Sequence, residues 1–94
     1  MTQRDLLTRH PVRRVGVHVL SRTDVPSLAN DRGARLASLN ETALAIWDLC
    51  DGETSVQEMV EAITSAFGIS PEQATSDVQR TIDEFVRLDV LSTP

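Results

Sequence analysis

The side chains able to do chemistry are few in this chain. His10 and His18 lie eight residues apart in a strand-like stretch, with no cysteine or carboxylate at a metal-ligand spacing beside them. They read as ordinary surface or strand histidines. Cys50 is the single thiol. A nucleophilic thiol needs a lowered pKa and a neighbouring base, and Cys50 instead shares a helical stripe with Trp47, the pattern of a small buried residue. Trp47 reads as a core aromatic on the same stripe, and Met59 as core filler. No glycine-rich loop precedes a helix, so nucleotide phosphates have no cradle. The residues therefore predict no catalytic group, no metal site and no cofactor.

Ninety-four residues predict a single domain over 1–94 with one modest core and no room for a large cleft. The aromatic residues are Trp47, Phe67 and Phe85, so the core must be aliphatic. Net charge is −5 and all nine bases are arginine. Seven of these, Arg4, Arg9, Arg13, Arg14, Arg22, Arg32 and Arg35, precede the helical half, which is acidic. An acidic chain lacks the clustered positive face that displaces counterions from phosphates, which argues against nucleic acid as a partner. One cysteine excludes an internal disulfide, and no apolar run approaches the ~20 residues that span a bilayer. Met1 to His10 lacks the apolar segment of a secretory signal, so the expectation is a cytoplasmic protein without membrane contact.

The elements that would position a site follow from periodicity and punctuation. Met1 to Arg9 has no clear period, and residues 1–10 of the domain are expected to fray, as chain ends do. Val15, Val17 and Val19 alternate with Gly16, His18 and Leu20, which predicts a half-buried first strand. Val25 to Asn30 is a weaker second strand with Pro26 at its start or on an edge. Asp31-Arg32-Gly33 is a tight turn, and Arg35 to Leu39 a short third strand. Asn40 caps a first helix from about Glu41 to Cys50, with Ala43, Ile46, Trp47 and Cys50 on one face. T-S-V-Q at Thr54 to Gln57 and S-P-E-Q at Ser70 to Gln73 mark two further helix starts. The second helix, about Ser55 to Phe67, buries Val56, Met59, Val60, Ile63 and Phe67. The third, about Pro71 to Leu88, buries Ala74, Val78, Ile82 and Phe85 behind a proline at its first position. Val90 and Leu91 pack back on the core.

Two features stand above this background. The third strand comes last in its unit, so one of its edges is open. The third helix has a second flank, with Asp77, Thr81, Glu84 and Leu88 at i, i+4, i+7 and i+11 beside Arg80. A groove between an open edge and a helix flank suits an extended peptide, which adds main-chain hydrogen bonds on one side and side chains in pockets on the other. The opposite flank, with Gln79 and Val86, is the rival wall.

From Leu39 onward the sequence resembles the PqqD family of small peptide chaperones, the precursor-peptide recognition elements of ribosomally made, post-translationally modified products. The resemblance rests on Leu39-Asn40-Glu41-Thr42-Ala43, on Ile46-Trp47-Asp48-Leu49-Cys50-Asp51-Gly52, on Thr54-Ser55-Val56 with Val60, and on Phe85, Leu88 and Val90-Leu91. The strand region matches more loosely, through Asp31-Arg32-Gly33. The resemblance implies an α+β, winged helix-turn-helix-like fold: three N-terminal antiparallel strands packed on three helices. It implies a non-catalytic protein that binds the leader segment of a precursor peptide as an added antiparallel strand. The implied partner is a maturation enzyme: a radical SAM enzyme, a leader peptidase or a cyclase. For this sequence the docking edge would be Arg35, Leu36, Ala37, Ser38 and Leu39. Helical phase adds Asp77, Arg80, Thr81, Glu84 and Leu88 as the facing wall. The chain departs from the family in two places: Asp89 stands where many relatives have glycine, and the second strand is less aliphatic than usual.

Two other functions fit the same element order. A winged-helix DNA-binding regulator would use the third helix for recognition, but Glu72, Asp77, Asp83 and Glu84 outnumber Arg80 and Arg87 there and would repel phosphates. A small enzyme subunit whose site forms only on association would lose activity through one polar residue rather than through the groove.

Overall fold

A computed structural model describes residues 7–21 and 24–92. The chain runs β1 (Val12–Arg13), β2 (Val17–Leu20), β3 (Ser27–Asn30), β4 (Arg35–Ser38), α1 (Glu41–Leu49), α2 (Val56–Phe67), α3 (Pro71–Arg87) and β5 (Leu91–Ser92). β2, β3 and β4 form an antiparallel meander with β3 in the middle, and β1 pairs with β5 as a separate ribbon. The fold is the expected α+β arrangement of three antiparallel strands on three helices, with one addition. The ribbon was not foreseen, because two-residue strands carry no alternation and Val12 finds its partner Ser92 at the far end of the chain.

The strand boundaries moved for local reasons. Val15 is 98% exposed, at a turn where Gly16 adopts φ 94°, so the first strand of the meander starts only at Val17. A Cβ on Gly16 would lie 2.8 Å from the Asp31 carboxylate, so the turn needs glycine for space as well as for conformation. The second strand starts at Ser27, with Pro26 just before it and Val25 exposed. Ser27, Leu28 and Ala29 are all buried, although only Leu28 is bulky. Ala29 pairs with His18 on one side and Arg35 on the other, so in the central strand the neighbours supply the cover. The Asp31-Arg32-Gly33 turn is closed by Asn30, whose side-chain oxygen accepts the N–H groups of Arg32 and Ala34. Residues 1–6 of the segment expected to fray lie outside the described residues. Beyond them Leu7 packs half-buried on the core, and the Arg9 carbonyl accepts the Val56 N–H at 2.9 Å.

Each helix is capped by its sequence. Asn40 accepts the Ala43 N–H at 2.8 Å. For α2 the cap is one residue later than T-S-V-Q suggests: Ser55 accepts from Glu58, and Glu58 accepts the Ser55 N–H in return. Ser70 caps α3 ahead of Pro71. Gly68, at φ 63°, ends α2 in the left-handed conformation. The core joins Leu28 and Leu39 from the meander region to Ile46, Trp47 and Cys50, to Val56, Met59 and Ile63, and to Ala74, Val78, Ile82 and Phe85, with Val90 and Leu91 closing it.

At the end of α3, Asp89 takes φ 60°, the conformation for which a glycine is better suited. Its N–H reaches the Val86 carbonyl and the Val90 N–H reaches Phe85, the two bonds of a Schellman cap that turns the chain into β5. The Asp89 carboxylate also pairs with Arg14 at 2.7 Å, but both side chains are largely exposed and the pair contributes little. Asp89→Ala is therefore expected to lower the unfolding free energy by about 1 kcal/mol or more, because it puts an ordinary Cβ in a left-handed position. Asp89→Gly, which loses the same ion pair, should not. Equal urea midpoints for the two variants would refute this account.

Asp51 accepts the N–H groups of Glu53 and Thr54, which hold its carboxyl below the ordinary 3.8. Glu58 is held below 4.5 first by the Ser55 N–H and then by the Ser55 hydroxyl. A carboxyl whose pKa is lower in the folded state stabilises the fold above its unfolded pKa, and that stability is lost as pH falls through the lowered value. Denaturant midpoints should drop as pH falls below about 4, and the drop should be smaller in an Asp51→Asn, Glu58→Gln double variant. An identical pH profile in that variant would count against the two networks.

Candidate functional site

β4 pairs with β3 only, and no described strand covers its other edge. The Leu39 N–H donates inward to the Pro26 carbonyl at 2.7 Å. Since backbone groups alternate along an extended strand, the N–H and C=O of Ser38 face away from β3. The register pairs Ser27 with Ser38, Leu28 with Ala37 and Ala29 with Arg35, so it passes over Leu36 in a bulge. Such an extra residue bends an edge strand and increases its twist.

Beside this edge lies a groove of about 230 Å³ between β4, the start of α1 and the last turns of α3. Its lining is Ala37, Ser38, Leu39, Ala43, Arg80, Thr81, Glu84, Phe85 and Leu88. Leu39 and Phe85 are buried, Ala43 and Leu88 half-buried, and Ser38 and Arg80 exposed at the rim. The walls thus combine an apolar base with a few polar groups and an unpaired backbone edge.

Of the ten residues expected at the site, Ala37, Ser38, Leu39, Arg80, Thr81, Glu84 and Leu88 come together in this groove. Leu36, Arg35 and Asp77 do not line it. Leu36 is the bulged residue and packs half-buried on the core. Arg35 pairs with Ala29, one ladder position beyond the Leu28–Ala37 pair, and is exposed on the other face of the sheet. Asp77 lies a turn nearer the start of α3, where it accepts hydrogen bonds from Arg80 at 2.8 Å and from Gln73 at 2.9 Å. It positions Arg80 rather than lining the groove. Ala43 and Phe85 were missed as lining residues because both fall on core stripes. The clue to Ala43 is that α1 begins one residue after Asn40, directly off the edge strand. The rival flank is placed elsewhere: Gln79 lines an open depression with Glu72, Thr75, Ser76, Arg80, Asp83 and Arg87, and Val86 is exposed.

The family described as coenzyme PQQ synthesis protein D (PqqD) matches residues 15–91 of the chain. A comparison with curated proteins returns no match. Among solved structures, one described as TbiB1 in complex with the TbiA(beta) leader peptide superposes with a TM-score of 0.71 at 17% identity. The match covers 86% of this chain and 94% of that one. At that identity the likeness is one of fold.

The intrinsically reactive groups sit apart from the groove lining. His18 Nε2 lies 2.8 Å from an Asp31 oxygen across the β2–β3 pair, a carboxylate neighbour that sequence spacing did not reveal, and both side chains are largely exposed. Among the described residues, no three His, Cys, Asp or Glu side chains converge on a common point. Cys50 is fully buried, its Sγ donates to the Ile46 carbonyl at 3.2 Å, and burial pushes its pKa up to about 12 against a partial lowering by Arg13. A thiol so held is protonated at neutral pH and unreactive. Labelling of the native protein by a thiol-disulfide reagent at pH 8 is expected to proceed only as fast as unfolding exposes Cys50. Reaction at the rate of a free thiol would contradict this.

Proposed function

Because the chain belongs to the PqqD family, we propose that it is a non-catalytic peptide-binding chaperone that captures the leader segment of a ribosomally made precursor by strand addition to β4. The observation that carries this reading is the uncovered outer edge of β4 running beside the groove lined by α3. The fold it shares with TbiB1, whose structure contains a leader peptide, supports the same reading. Ala37, Ser38 and Leu39 supply the edge. Arg80, Thr81, Glu84 and Leu88 supply the wall, with Ala43 and Phe85 at the base.

The magnitudes show why both parts are needed. Outward-facing groups come from alternate residues, so a strand as short as β4 offers about four main-chain bonds at most. Each contributes about 0.5–1.5 kcal/mol net, and association and ordering cost several kcal/mol. Backbone pairing alone binds too weakly to matter. One or two Leu-sized side chains buried in the groove add about 1.5–3 kcal/mol each, which brings the total toward the ~8 kcal/mol of micromolar affinity. Specificity therefore belongs to the side-chain pockets.

Holding the leader raises the effective concentration of the attached core peptide near a maturation enzyme. That enzyme would be a radical SAM enzyme, a leader peptidase or a cyclase. The domain itself takes no part in bond making. A DNA-binding role for α3 is disfavoured by charge, since Arg80 and Arg87 are already paired with Asp77 and Glu84 and the outer face adds Glu72 and Asp83.

The test is titration calorimetry with synthetic leader segments of candidate precursor peptides. Thr81→Trp, which fills the groove, should weaken binding by well over about tenfold, the equivalent of one lost anchor. Ser38→Pro, which removes an outward N–H, should weaken it by up to about tenfold. Both variants should keep the native circular dichroism and melting temperature. Unchanged affinity in Thr81→Trp would rule out this groove as the site. Leu36 is unsuitable for such a test, because its contact with the core would confound binding with folding.

A further inference from the structure

Most arginines of the described chain have partners within it. Arg13 donates to the Trp47 and Asp48 carbonyls at the end of α1. Arg14 pairs with Asp89, Arg80 with Asp77 and Arg87 with Glu84, and Arg9 is engaged as well. The side chains of Arg32 and Arg35 meet no partner among the described residues, and both are exposed. Arg32 lies in the β3–β4 turn and Arg35 is the first residue of β4. The nearest acidic residue in sequence, Asp31, is directed to His18. In a chain of net charge −5, this hairpin concentrates free positive charge at one end of the open edge.

Among the described residues, the groove itself offers no free cation. Its rim carries Arg80, held by Asp77, and Glu84, paired with Arg87. A carboxylate seated in the groove would meet only cations that are already paired, whereas one placed past Ala37 toward the hairpin would face Arg35 and then Arg32. Resting on the reading that a guest strand adds antiparallel to β4, we propose that the guest carries an apolar anchor followed, toward its C-terminus, by acidic side chains that Arg35 and Arg32 recognise.

The order follows from strand direction. An antiparallel guest passes Ser38 first and Arg35 last, so what lies near the hairpin is C-terminal to what enters the groove. Facing residues of an antiparallel pair point to the same side of the sheet. The guest residue opposite Ala37 therefore enters the groove. The bulge at Leu36 brings Arg35 onto the solvent face within one ladder step of Ala37, as it does against β3. With about 3.4 Å per residue, the carboxylates belong about one to four positions C-terminal to the anchor. A peptide with the acids before the anchor would carry them past Ser38, away from Arg35 and Arg32, so charge fixes direction and register as well as affinity.

The experiment selects twelve-residue peptides from a random display library on the full chain and measures the selected peptides, fluorescein-labelled, by anisotropy. Peptides whose binding is lost in Thr81→Trp are expected to carry Asp or Glu shortly after a large apolar residue. The exposed double variant Arg32→Glu, Arg35→Glu should weaken them by about tenfold or more, with a smaller effect at high salt. Moving the acids to the N-terminal side of the anchor should weaken binding to the unaltered chain similarly. Groove-dependent peptides that are indifferent to both changes would overturn the inference and leave the groove standing. Peptides indifferent to Thr81→Trp would overturn both.

Discussion

The contact on which the site depends is the packing of Phe85 against Trp47. Their rings meet edge to face with centroids 5.4 Å apart and planes at 81°. Edge-to-face aromatic pairs of this kind stabilise beyond the area they bury. One ring belongs to α3 and the other to α1, which follows β4 after only Leu39 and the capping Asn40. This contact therefore helps set how far α3 stands from the edge strand. Held there, Phe85 becomes the base of the groove and its neighbours Thr81, Glu84 and Leu88 become the wall. A smaller residue at either position would let the helix settle toward the sheet and close the space.

The second constraint is the bulge at Leu36. Exposed sheet edges invite pairing with any extended chain, and proteins blunt them with bulges, charges and short strands. β4 shows all three, with four residues, an irregular register and Arg35 at its start. It is left open but is a poor template for indiscriminate pairing, so a guest must also satisfy the groove beside it. Leu36 in turn helps fix the edge by packing on the core.

Much of this was legible in the sequence where a local cause acts locally. Asn40, Ser55 with Glu58, Ser70 with Pro71, and Gly68 mark helix ends through hydrogen bonds and backbone conformation within a few residues, and the helical stripes give the core. Helical phase gave Arg80, Thr81, Glu84 and Leu88 of the groove lining on α3 together with Asp77, which stands outside it, and left the opposite flank open. What escaped depends on contacts distant in the chain. The β1–β5 ribbon joins opposite ends, the His18–Asp31 pair crosses a hairpin, and the roles of Leu36 and Arg35 turn on a register shift that no spacing rule records. β3 looked weak because its burial comes from neighbours rather than from its own bulk.

The ribbon of Val12–Arg13 with Leu91–Ser92 has an architectural consequence. At Val12 and Ser92 the described chain comes together like the stem of a loop, with residues 7–11 running on to pack beside α2. A host polypeptide could receive it as an insertion at a surface turn without its own halves being pried apart, and joining the two ends while cutting elsewhere would leave the core whole. That geometry makes the domain portable, able to be carried as a separate module or built into a larger protein with the same outline.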